Sequence, residues 1–260
     1  MTVANRVASS IVTCLIAFTS QPSPQAFDAL RDFRPFTLVH ALVLAACAVC
    51  TVAILRIGLS RHGTPRGRSF ERALGVAGLA IWFLANGYGF VPAAFSWDTS
   101  LPLHVCDLCA LAGPIVLLVE SPPPWLRAWL YFAGIGLCTQ AFITPTLRDG
   151  PIDPMFWAFW SAHFVILIFA LYDLIVRRWR PTWRDWRIAI ALCLGYLAII
   201  FPIDAAFDLN YGFLGNRPGN DTLLGFLGPW PWRVGIMLAL TIIGFTVLML
   251  PWWHGRRQTA

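Results

Sequence analysis

Seven apolar runs, each about long enough to cross a bilayer, leave this chain few ways to fold. They lie at 36–59, 73–92, 101–119, 126–144, 155–175, 186–207 and 232–252 of the 260 residues. Inside a bilayer every main-chain N–H and C=O must be satisfied by the protein itself, so runs of this length fold as helices. The expected fold class is therefore all-α, a polytopic membrane helix bundle of about seven transmembrane helices. Composition agrees: 58% of residues are hydrophobic and 12% charged, with a mean hydropathy of +0.66, whereas soluble domains carry about 25% charged residues.

Three parts are expected: an N-terminal interfacial segment over 1–35, the seven-helix domain over 36–252, and a cytoplasmic tail over 253–260. In the first part Phe27, Leu30 and Phe33 recur at helical spacing between charges, the pattern of a short helix lying on the membrane surface. The apolar stretch Ile11 to Phe18 is too short to span, and the residues after it make a poor cleavage site.

The chain contains no lysine, so its formal charge of +6 reflects an excess of arginine over acidic residues. Arginines crowd the connections at 60–72 and 176–187 and the tail, and are sparse at 93–100, 145–154 and 208–231. The positive-inside rule then places the N-terminus outside and the C-terminus in the cytoplasm, with Arg31 and Arg34 as a weaker opposing signal. The protein is expected in the cell membrane as a multi-pass protein. Its basic charge reads as topology and contact with anionic lipid, not as affinity for nucleic acid. Twelve of the thirteen tryptophans fall near span ends or in connections, as an aromatic belt does.

Polar residues inside the spans point to a site, because an Asp at membrane depth costs roughly 2.5–3.5 kcal/mol and is rarely placed there idly. The third run carries His104, Cys106 and Asp107 close to its start. With the orientation above, His40, Asn86, His104, Asp107, Gln140, His163 and Asp204 all come to the outer halves of their spans. At 1.5 Å per residue, His104 lies roughly 5 Å and His163 roughly 12 Å below the boundary. One polar layer on one side of the membrane implies a water-accessible cavity opening away from the cytoplasm. His104 and Asp107 are three residues apart, a spacing at which the carboxylate would orient the imidazole. The candidate catalytic residues are thus His104, Asp107, His163 and Cys106. The candidate substrate-binding residues are His40, Asn86, Gln140 and Asp204, with Asn210 and Tyr211 from a long Gly-, Pro- and aromatic-rich connection expected to fold back over the cavity mouth. The seven cysteines are an odd number set mostly in apolar runs, which argues against a disulfide framework.

Three blocks, LPLHVCDL at 101–108, FWSAHFVIL at 159–167 and NYGFLGNRPGNDTLLGFLGPWPW at 210–232, resemble those of the YwaF-type integral membrane proteins of bacteria. The chain is also similar to an animal branch, the transmembrane protein one-six-four group, described as phospholipid acyltransferases that work through a cysteine acyl-enzyme. That resemblance implies a lipid acyl chemistry in which His104 and His163 match the two family histidines. The family nucleophile directly precedes the first of them, and here that position is Leu103.

The leading functional expectation is a membrane-embedded lipid acyl hydrolase or acyltransferase, with His104 or His163 as general base and water or Cys106 as nucleophile. The alternative from another class is a non-enzymatic lipid-binding, transport or membrane-complex assembly protein, with a protein partner. A zinc hydrolase built on His40, His104, His163 and Asp107 has no H-x-x-x-H or H-E-x-x-H pair behind it, so neither metal nor cofactor is expected. The expected partner is membrane phospholipid.

Overall fold

The computed structural model describes residues 30–92, 95–217 and 223–256. Among the described residues seven helical rods follow one another: α1 (Leu38–Arg61), α2 (Pro65–Gly87), α3 (Val105–Leu118), α4 (Pro124–Trp129), α5 (Pro154–Ile175), α6 (Trp183–Phe207) and α7 (Trp232–Met249). Among the described residues there is no strand, only an isolated bridge between Asp32 and Asp149. The apolar stretch at 11–18 lies outside the described residues, as does the expected interfacial helix apart from its last four residues.

The rods sit where the apolar runs predict, with instructive differences at their ends. The second helix starts at Pro65, well before its apolar run, because the Thr64 hydroxyl accepts the Gly67 N–H at 3.0 Å and a proline suits the first helical position. The third starts late. His104 is its N-cap, in extended conformation, and Asp107 in the first turn accepts the His104 N–H at 3.1 Å. Asp153 caps α5 through the Met155 N–H, and Thr182 with Asp185 forms a reciprocal capping box on α6. The α4 rod does not run through as an α-helix: it passes into a π-helical stretch, Leu130–Ile135, and then a 3-10 turn, Cys138–Phe142.

Among the described residues four helices, α1, α5, α6 and α7, are by length and composition able to cross a membrane. The others depend on the bundle. The 14 residues of α3 reach about 21 Å, short of the roughly 30 Å apolar core.

The core lies where α2, α3, α4 and α5 meet. Phe169 of α5 enters a notch made by two glycines: a Cβ on Gly78 of α2 or on Gly113 of α3 would come within 2.5 and 2.7 Å of its ring. Small residues that let helices approach this closely are the usual basis of packing between helices in lipid. By contrast α1 is peripheral, burying only His40 and Gly58.

One end of this core is tied by charge. The last carbonyls of α3 have no partner within the helix. Arg177 supplies them, donating to Val116 O at 2.6 Å and Leu117 O at 2.8 Å, while Arg68 donates to Leu117 O and Leu118 O, each at 3.0 Å. Glu71 lies between the two guanidinium groups, at 2.6 Å from Arg177 and 3.1 Å from Arg68. Three helices are joined here by one carboxylate and two arginines, at the arginine-rich end of the bundle.

Candidate functional site

The opposite half of the bundle is hollow. A cavity of about 830 Å³ is lined there by residues of α2, α3, α5, α6 and α7, by the 137–149 segment, and by Gly212 to Leu214. Six of the ten candidate residues are on its wall: Asn86, His104, Cys106, Asp107, Gln140 and His163. Five members of the polar layer read from the sequence, Asn86, His104, Asp107, Gln140 and His163, thus share one cavity in the half away from the arginine clamp, and two, His40 and Asp204, do not.

The two histidines are held in opposite ways. On α5 the His163 Nδ1–H donates to the Phe159 carbonyl one turn earlier, at 2.8 Å, because a carbonyl can only accept. Its other nitrogen, Nε2, therefore keeps the lone pair. His104 is the reverse. Its Nδ1 accepts the Gly212 N–H at 3.3 Å, which puts the proton on Nε2. Its ring is further held between those of Tyr211 and Phe213, with centroids 4.9 and 6.3 Å away.

The Asp107 carboxylate, expected to orient the His104 imidazole, bonds elsewhere. Asp107 bonds the main chain of His104 because His104 stands at the helix start, where a carboxylate three residues on completes a cap. Asp204 is buried and accepts the Tyr211 N–H at 3.1 Å.

The four remaining candidates lie off the wall. His40 spans two main-chain groups, accepting the Phe36 N–H at 3.0 Å and meeting the Phe142 carbonyl at 3.1 Å, among the rings of Phe33, Phe36 and Trp160. Asp204, in the last turn of α6, holds the fold-back connection to which Asn210 and Tyr211 belong. Asn210 clasps it through Arg217 O and the Gly215 N–H, at 2.7 and 3.1 Å, and Tyr211 is fully buried with its hydroxyl on the Trp97 carbonyl. This connection supplies part of the cavity wall through Gly212, Phe213 and Leu214.

Several wall residues went unread in the sequence: Trp129, Cys138, Cys193, Tyr196 and Thr241. Tyr196 donates to the Leu103 carbonyl at 2.8 Å and packs under Gly212. A polar group within an apolar span, the criterion that picks out His163, also fits Tyr196 and Thr241. Leu103 packs against the apolar cluster of Ile200, Tyr211, Leu214 and Val234. Among the described residues no group of three or more His, Cys, Asp or Glu is placed to hold a metal ion.

The fold and the cavity define a multi-pass helical membrane protein hollowed at one end. The chain belongs to the TMEM164 family, whose family model matches residues 35–249. No curated protein and no solved structure matches it significantly.

Proposed function

We propose that the cavity takes a membrane lipid and acts on its acyl ester, by hydrolysis or transfer, with His163 as the general base. The observation carrying this reading is the Nδ1–H bond to Phe159, which leaves Nε2 as a proton acceptor on the cavity wall. A neutral imidazole so fixed takes a proton from water or a hydroxyl as that oxygen attacks a carbonyl. His104, with its proton on Nε2, is suited to donate a hydrogen bond and not to accept one. Cys106 sits on the same wall, but a thiol two residues along from the N-cap does not face the His104 ring.

A ligand-holding role without turnover is the second reading. It is favoured by Leu103, whose side chain packs into an apolar cluster where the animal relatives are described as keeping a nucleophile. Mass spectrometry of lipids co-purified with, and turned over by, the wild type and His163→Gln separates the two. Free fatty acid with deacylated lipid, or a newly acylated acceptor, that disappears in His163→Gln supports the enzyme. The same bound lipids in both proteins, with no product from either, support the binding role and remove the enzymatic one.

A further inference from the structure

We infer that a membrane-resident amphiphile reaches the cavity sideways, through a gap left between α7 and the 138–144 segment by the break in α4; this rests on the lipid reading above. In the inner half of the bundle α4 is a wedge between α5 and α7. A Cβ on Gly134 would meet Ile166 of α5 at 3.0 Å, and one on Gly136 would meet Phe245 of α7 at 3.0 Å. The Tyr131 hydroxyl donates to the Leu248 carbonyl at 2.8 Å, and Phe132 lies on Phe245. The wedge ends with the π-helical stretch.

Beyond Gly136 the chain turns towards α5 and α1. The Cys138–Phe142 turn packs along α5, the Phe142 ring lies 5.9 Å from that of Trp160, and the Phe142 carbonyl faces His40 of α1. The outer half of α7 is thereby left without the neighbour its inner half has. Its residues Val234, Met237, Leu238 and Thr241 line the cavity, as do Leu137, Ala141 and Thr144 of the segment after the break. Val234 to Thr241 is seven residues of rise, so the stretch of α7 along the cavity is about 10 Å long.

The chemistry of this edge selects the visitor. All seven of these residues are uncharged and most are apolar, and they lie in the membrane-spanning part of α7 and just past the helical part of α4. Ile143 beside them is 61% exposed, an apolar side chain turned away from the protein. A charged solute gains nothing along such a path, whereas an acyl chain crosses it without leaving an apolar medium. The polar groups of the cavity, His163, Gln140 and Asn86, then meet the end of the molecule that carries its ester or headgroup.

The test is photo-crosslinking in vesicles that contain a phosphatidylcholine with a diazirine in one acyl chain. Adducts are mapped by mass spectrometry on the full chain, and adducts on exposed Val49 and Val52 of α1 serve as the standard for contact with bulk lipid. Expected are adducts on Met237, Leu238 or Ala141 in the wild type, and their loss in Leu238→Trp while the α1 adducts persist. Adducts on α1 alone overturn the sideways route, as do cavity adducts that survive Leu238→Trp in folded protein. Should Leu238→Trp not fold, Ala141→Trp narrows the gap from the other side and is read the same way. Hydrolysis of a water-soluble short-chain ester is measured in parallel. Cavity adducts without hydrolysis keep the route and count against the enzyme; hydrolysis without cavity adducts does the reverse.

Discussion

The main-chain N–H of Gly212 donates to Nδ1 of His104 across 108 residues of chain. One bond thereby fixes the tautomer of a cavity histidine and anchors the fold-back connection to the start of α3. Gly212 has φ +60, and a Cβ there would stand 2.6 Å from the Tyr196 hydroxyl. Gly212→Ala therefore carries both backbone strain and a collision, and is expected to lower stability by about 1–3 kcal/mol. Thermal unfolding in detergent measures this. An unchanged melting temperature would mean that the connection is not fastened through Gly212.

The opposite tautomers of the two histidines separate their roles. His163→Gln removes the proton acceptor and is expected to reduce lipid turnover by at least about 100-fold. His104→Gln is expected to shift the Gly212 connection and to reduce turnover less. Equal loss in both, with both proteins folded, would speak for a shared catalytic role and against the division proposed.

Cys106→Ala is expected to keep most of any turnover, since general-base attack by water needs no thiol. Trapping of an acyl group on Cys106, identified by mass spectrometry and lost in Cys106→Ala together with activity, would falsify that expectation.

At the other end, Glu71 and Glu120 provide a matched comparison. The Glu71 side chain is 11% exposed between Arg68 and Arg177, whereas that of Glu120 is 80% exposed and no nearer than 3.9 Å to an arginine. Glu71→Ala leaves two guanidinium groups without their carboxylate and is expected to cost about 3–5 kcal/mol. Glu120→Ala is expected to cost less than about 1 kcal/mol. Denaturation of the two variants side by side decides it, and equal costs would show that the clamp contributes nothing special.

Topology is testable by reporter fusions in the 60–72 and 208–231 connections. Opposite sides of the membrane are expected, with 60–72 in the cytoplasm, because the arginines concentrate on that side. The same side for both would refute the assignment and move the cavity to the other leaflet.

The rods were legible because apolar runs of bilayer length permit little but helices. The cavity was legible because His104, His163, Gln140 and Asn86 interrupt those runs at matching depths. Cap geometry was not. Asp107 three residues after His104 reads equally as a ring-orienting carboxylate and as a helix cap, and only the start of α3 distinguishes them. Nor was the break in α4, whose sequence LYFAGIGLC contains two glycines but no proline. Asn210 and Tyr211 illustrate a third ambiguity: side chains rich in hydrogen-bonding capacity serve a ligand or a loop, and here they fasten the loop.

The arginine clamp has a mechanical consequence. Helices α2, α3 and α5 are riveted at one end, so any flexing of these three pivots about that base and is largest at the far rim. There the start of α3 is held by its cap and by the fold-back connection, through the Gly212 N–H on His104 and the Tyr211 hydroxyl at the Leu101 N–H. A guest lodged under His104 would act on the rim and leave the riveted base where it is.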